Sequence, residues 1–200
     1  MDNREKWKIA QIEERKQHDH NTVEFGLEAY RNGYRQYFEH LRVDHAQVIG
    51  KTIMEIGCAD FPALYYITGY HKGIIVEPMP SDIMRKLISQ KQVAIDIVTL
   101  PAEDYDFPKV DEVWLLNVLQ HVIDPNVIIN KAKAAASVIR FFEPIGTPLD
   151  KCHLHSFTLD YFRSHFGVDA VKHYVAEEGV KNFHTCNNAY GVWRKTDDKR

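Results

Sequence analysis

Cysteine is scarce in this sequence. The three present, Cys58, Cys152 and Cys186, form no close pair and no C-x-x-C spacing. An odd, low count excludes a disulfide scaffold and reads as free thiols in a reducing compartment. Long apolar runs are missing too, with nothing near the roughly 18 residues that a membrane span needs. The opening "MDNREKWKIAQIEERKQ" lacks the uninterrupted apolar core of a signal peptide. There is no excess of positive charge. A net charge of −3 supplies no basic face for non-specific nucleic-acid binding. No internal repeat, low-complexity tract or dividing linker interrupts the chain. The expectation is a soluble, cytoplasmic protein with no membrane association. At 44% hydrophobic and 12% aromatic residues it has material for one full core.

What is present divides into two textures. Residues 1–45 are charged and aromatic, beginning with Trp7, Ile9 and Ile12. Phe25, Leu27, Tyr30, Tyr34, Tyr37, Phe38 and Leu41 then recur at three- and four-residue steps, which predicts an amphipathic helix. This segment is expected to pack against the rest, with one or two of Tyr30, Tyr34 and Tyr37 acting as a lid. His18, Asp19 and His20, just before the helix, are expected on a solvated face. Residues 46–200 read as a single α/β domain. Apolar runs at "TIMEIG" (52–57), "GIIVEP" (73–78), "VAIDIV" (93–98), "VDEVWLLN" (110–117) and "SVIRFFEP" (137–144) predict strands covered on both faces. "PALYYITGY", "PSDIMRKLISQ" and "DPNVIINKAKAAA" between them predict helices, with Ser81 and Asp124 as N-caps. A helix over 157–167 ending at Gly167 and two last strands complete the pattern. The fold predicted is a three-layer, doubly wound, mostly parallel sheet of seven strands.

Ligands of such sheets sit beyond the carboxyl ends of the strands. The first strand delivers Glu55, Gly57, Cys58 and Ala59 there. The second delivers Glu77 and Pro78, about 20 residues after the first turn, the spacing at which an acid reaches a ribose. A carboxylate suits that task because its two oxygens accept from both hydroxyls of a diol. The third leads to Ala102, Glu103 and Asp104; the fourth ends at Asn117, with Gln120 and His121 in the next turn.

In order and spacing, "MEIGCADF", "IIVEP", "PAEDYDFPKVDEVWLLNVLQHVIDP" and "HLHSFT" together resemble the class I S-adenosylmethionine-dependent methyltransferases over roughly 50–195. The resemblance implies S-adenosylmethionine as cofactor. It gives Gly57 a close approach to the methionine part, Glu55 the ordering of that turn and Glu77 the ribose hydroxyls. Ala102 and Glu103 fall at the adenine edge, and Asn117 and Val118 beside the sulfonium. Two positions depart from the family's E/D-x-G-x-G pattern and its sequel, Ala59 and Phe61. Alanine at 59 is a mild change at negative φ and a costly one at positive φ. These departures motivate a rival, a cofactor-binding pseudo-enzyme of the same fold. A nicotinamide-dependent oxidoreductase is a second rival. Its G-x-G-x-x-G turn would fall on Gly57, Ala59 and Pro62, and Pro62 has no N–H to give a pyrophosphate.

A methyl acceptor of high pKa needs a base, for which His121, His153 and His155 are the candidates. His153 and His155 share a face if extended, yet no carboxylate or cysteine set completes a metal site, so no metal is expected. The little material after the fifth strand favours a small-molecule acceptor over a protein or RNA.

Overall fold

Strands fall where continuous apolar runs demand burial on both faces. The computed structural model describes residues 2–18, 23–175 and 186–196. It places β1 (Thr52–Ile56), β2 (Lys72–Val76), β3 (Ala94–Val98), β4 (Val110–Leu116), β5 (Ala136–Pro144), β6 (Val171–Tyr174) and β7 (Asn188–Arg194) in one sheet. The spatial order is β3-β2-β1-β4-β5-β7-β6. β1 to β5 pair in parallel, and β7 runs antiparallel between β5 and β6. The predicted seven-stranded, mostly parallel sheet is therefore the observed one. The solvated face expected for His18, Asp19 and His20 lies outside the described residues and side chains, as does the β6–β7 connection over 176–185.

Among the described residues seven α-helices accompany the strands: α1 (Asn3–His18), α2 (Val23–Leu41), α3 (His45–Val48), α4 (Ala63–Tyr66), α5 (Asp82–Ser89), α6 (Pro125–Ala135) and α7 (Leu159–Phe166). The predicted caps form. Ser81 Oγ accepts from Met84 N–H at 3.0 Å and Asp124 Oδ1 from Asn126 N–H at 2.9 Å. Gly167 ends α7 with φ +87°, a conformation that suits glycine. One helix is shorter than predicted. "PALYYITGY" yields only the four residues of α4, because Ile67 turns extended and Gly69 takes φ +97° against the His45 ring. The sequence reads residues 1–45 as a helical segment without delimiting α1; of its apolar side chains Trp7 and Ala10 are buried while Ile9 and Ile12 are about half exposed, which blurs the 3.6-residue period.

Apolar side chains fill both faces of the sheet. On one, Phe141 stacks on Phe162 and Phe166 at ring distances of 5.7 and 4.4 Å, beside Ile128 and Ile129 of α6. On the other, Tyr34, Tyr37 and Leu41 of α2 meet Ile53, Trp114 and Phe142. A charged network crosses this second layer. Fully buried Arg140 donates to Glu112 at 2.7 and 3.2 Å and to the Leu41 carbonyl at the end of α2. Among the described residues no helix is long and apolar enough to cross a membrane.

Candidate active site

Three parallel strands stop in step, and each tip is tied to its neighbour. Gly57 N–H donates to the Val76 carbonyl at 2.8 Å, Glu77 N–H to Val98 at 3.0 Å and Asn117 N–H to Phe142 at 2.8 Å. Beyond these tips lies a crevice of about 1040 Å³ of free space, counting its open mouth. Its floor is made by Gly57, Cys58 and Ala59 after β1, Glu77 and Pro78 after β2, Ala102 and Glu103 after β3, and Asn117 and Val118 after β4. Tyr30, Tyr34 and Tyr37 of α2 form a wall, and Trp7, Gln11, Glu14 and Arg15 of α1 form a cover.

The turn after β1 is held from below. Glu55, fully buried, accepts from the N–H groups of Ala63 and Leu64 at 2.7 and 3.0 Å, the two that open α4. Glu55 itself does not line the crevice. Gly57 sits at φ +62°, and a Cβ there would lie 2.4 Å from Val118 Cγ2, so only glycine fits against Val118 at this point. Ala59 also has positive φ, +47°. This is the costly case, about 1–2 kcal/mol for a residue with a Cβ. Phe61 is fully buried under α2, in contact with the bare backbone of Gly26 and 4.7 Å from the Tyr30 ring. The bulky residue after the turn thus fills the α2 interface and leaves the crevice open.

Glu77 is almost fully buried and accepts from Cys58 N–H at 3.1 Å and Met79 N–H at 3.0 Å. Burial raises its pKa, and those backbone donors offset only part of the rise. With Ala59 N–H as a further donor to the carboxylate, three of its roughly four acceptor positions are engaged and one is left for a ligand. Glu103 is committed to a loop: its Oε1 accepts from Ile123 and Asp124 N–H at 2.7 and 3.0 Å. Asn117 adopts φ +59°, which asparagine tolerates better than most side chains.

Glu143 is a site residue that sequence reasoning missed. It is fully buried at the end of β5, where it accepts from Val118 N–H at 3.1 Å and Leu119 N–H at 3.1 Å. It does for the turn after β4 what Glu55 does for the turn after β1. The signal was an acid closing an apolar strand in "RFFEP", the same pattern as "IMEIG". Burial pushes both carboxyls up to about 8, against the N–H donors that favour ionisation. In the unfolded chain they titrate near 4.5. A raised folded pKa means that the stabilisation is complete below 4.5 and is lost as pH rises through 8. Urea midpoints should therefore fall between pH 5 and 8.5, by up to about 1.4 kcal/mol per pH unit for each group. Glu143→Gln should flatten that fall; a midpoint that rises with pH would contradict it. Glu13 and Asp150, held down to about 2 by their partners, titrate below this window.

Of the three candidate histidines, only His121 lines the crevice. It lies in a 3-10 turn, Leu119–His121, ahead of α6. His153 bonds Asp150 through Nδ1 at 2.8 Å, and His155 Nε2 lies 2.9 Å from the Val122 carbonyl. Both stand outside the crevice, although the His153 ring is 4.9 Å from that of His121. Among the described residues no group of three metal-ligating side chains forms. The α1 residues were missed as site residues because their contacts join positions far apart in the chain. Arg4 pairs with Asp104 through two 2.7 Å bonds, Arg15 with Asp60 at 2.8 Å and Glu13 with Lys151 at 2.6 Å.

No protein-family model and no curated protein matches the sequence. Solved structures match the fold. The N-methyltransferase NodS from Bradyrhizobium japonicum, in complex with S-adenosylhomocysteine, is similar at TM-score 0.62 and 12% identity, with 90% of this chain and 91% of that one covered. The 1,6-didemethyltoxoflavin-N1-methyltransferase of Burkholderia thailandensis gives 0.60 and 14%, over 84% and 80% of the chains. A candidate RNA methyltransferase from Pyrococcus horikoshii gives 0.57 and 15%, over 82% and 84%. The fold is that of the class I methyltransferases, as the sequence resemblance implies.

Proposed function

We propose that this protein is an S-adenosylmethionine-dependent methyltransferase acting on an oxygen or nitrogen of a small molecule. The observation that carries the reading is the bare Gly57 turn facing the Glu77 carboxylate across the strand tips. A side chain at 57 would collide with Val118, so glycine is what lets the turns after β1 and β4 pack together where both line the crevice. Bound S-adenosylmethionine would supply a methyl group already activated on a sulfonium. Gly57, Cys58 and Ala59 would face its methionine part, and Glu77 with Pro78 its ribose hydroxyls. Ala102 N–H and Glu103 would stand at the adenine edge, and Asn117 and Val118 beside the sulfur. Glu55 acts one step back, by ordering the turn. The two neighbours solved with S-adenosylhomocysteine support this choice of cofactor.

The chain's own contribution is then to orient two reactants in line and exclude water. In our reading residues 1–45 form the cover and 46–200 the catalytic domain. α1 lies over the crevice through Trp7 and is tied down partly by exposed ion pairs, each worth little, so it can lift for exchange. Glu14, Glu77 and Glu103 outnumber Arg15 in the lining. That balance suits a sulfonium and an uncharged acceptor and opposes a polyanion. Cys58 and Cys186 are free thiols, which fits the cytoplasm.

Isothermal titration calorimetry tests the reading. S-adenosylhomocysteine should bind with Kd below about 100 μM, roughly 5.5 kcal/mol. No heat at that concentration, or a larger thermal stabilisation by NAD⁺, would overturn it.

A further inference from the structure

We propose that Glu14 and His121 form a carboxylate–imidazole pair, assembled when α1 covers the crevice, that takes the proton from the methyl acceptor, with Gln120 positioning the ring. The inference rests on the methyl-transfer reading above and assigns two residues to that site.

The ring's contacts favour one tautomer of the neutral imidazole. His121 Nδ1 lies 3.1 Å from the Cys152 carbonyl and 3.3 Å from Glu14 Oε2. Carbonyl and carboxylate oxygens only accept, so Nδ1 carries the hydrogen. Nε2 lies 3.0 Å from the Gln120 amide nitrogen, which also donates to Asn117 Oδ1 at 3.1 Å. An amide nitrogen only donates, so Nε2 of the neutral ring carries the lone pair, which accepts from Gln120 until the methyl acceptor displaces that N–H. That is the form of a base, with a carboxylate behind it to stabilise the imidazolium.

Gln120 carries the second observation. Its side chain is 97% buried, and its Oε1 has no hydrogen-bond partner among the described residues. An idle buried acceptor is costly. Once Nε2 is protonated it becomes a donor, and rotation of the Gln120 amide would turn Oε1 toward it. The acceptor left idle by the neutral ring is the one that the charged ring needs. In the step, the proton leaves the acceptor's O–H or N–H for Nε2. The electron pair it leaves behind forms the new bond to the methyl carbon, as the carbon–sulfur pair returns to sulfur. Nδ1–H stays on the Cys152 carbonyl, with Glu14 beside it.

Among the described residues, charged and titratable groups reach the ring from α1 and from the loop after β5. Glu14 comes from α1. From the loop after β5 come Cys152, through its carbonyl, and His153, which is bonded to Asp150. The adjacent Lys151 pairs with Glu13. Glu14 is a direct carboxylate contact, and it rides on the cover helix.

The test is histidine NMR on the full-length protein with S-adenosylhomocysteine bound, His121 being assigned by loss of its signal in His121→Gln. The neutral ring should show Nδ1–H with a bare Nε2. Glu14→Gln should lower the His121 titration midpoint by about one unit, a tenfold loss of basicity, and Glu14→Asp by less. Gln120→Leu should move the Nε2 chemical shift toward that of an unbonded ring nitrogen. An Nε2–H tautomer, or a midpoint unmoved in Glu14→Gln while S-adenosylhomocysteine still binds, would overturn the pair and leave the methyltransferase reading intact. Failure of S-adenosylhomocysteine to bind the unmodified protein would remove both.

Discussion

Arg140→Ala lowers the unfolding free energy by about 3–5 kcal/mol, read as a shift of the urea midpoint. The cost arises from what is left behind. Glu112 is fully buried and held by four donors: Arg140 Nε at 2.7 Å, Arg140 Nη2 at 3.2 Å, Lys51 at 2.6 Å and Trp114 Nε1 at 3.0 Å. Burial alone would push its pKa up, but Arg140, Lys51 and Trp114 outweigh that and keep it below the usual value. Alanine at 140 removes the main counter-charge and leaves the carboxylate desolvated. It also strips donors from the Leu41 carbonyl and from Gln47 Oε1, the latter 3.0 Å from the guanidinium. The double variant Arg140→Met/Glu112→Gln should recover more than half of the loss. It removes both charges, keeps an acceptor for Trp114 and replaces the arginine stem with apolar volume. A single-variant cost under about 1 kcal/mol would mean that the pair is not the desolvated contact its burial indicates. Because Glu112 sits at the amino half of β4, away from the strand tips, cofactor affinity should move far less than stability.

The sequence made some parts of this fold legible and hid others, for physical reasons. Five parallel strands could be read to within two residues because burial on both faces forces unbroken apolar runs. Their carboxyl ends had to gather, so Gly57, Glu77, Ala102 and Asn117 could be placed around one crevice without knowing any distance. Ser81 and Asp124 were readable as caps because a cap is a local contact. α1 was not delimited. Its inward face is carried largely by Trp7 and Ala10, and its ties reach across about 100 residues to Asp104 and 138 to Lys151. Such contacts leave no local periodicity. Glu55 and Glu143 show a subtler limit. The resemblance gave Glu55 the ordering of its turn, and its place at a strand end gave it a ligand contact, while Glu143 drew no reading. Both spend their oxygens on backbone N–H groups of adjoining turns. Sequence showed where the acids lie and could not show which way they point. Phe61 illustrates the converse: a residue that looked obstructive sits against Gly26, whose missing side chain makes the room.

Glu77→Ala weakens S-adenosylhomocysteine binding by about 1.5–3 kcal/mol, roughly ten- to a hundred-fold in Kd by calorimetry. The residue does two jobs, and the experiment must separate them. It staples Cys58 and Met79 N–H in the unliganded protein, and in our reading it offers its remaining lone pair to a ribose diol. Alanine abolishes both. Glu77→Gln keeps the side-chain volume and one acceptor oxygen but turns the other position into a donor, which conflicts with an N–H already aimed there. Glutamine should therefore lose affinity by an amount between wild type and alanine. The stability readout discriminates: the staple acts in the unliganded chain, so its loss lowers the urea midpoint without ligand. The ribose contact exists only in the complex and adds nothing to that midpoint. A variant with a lowered midpoint and an unchanged dissociation constant would show that Glu77 shapes the turn alone. The ribose would then have to be held elsewhere in the crevice, with Glu103 the remaining carboxylate among the strand tips that line it.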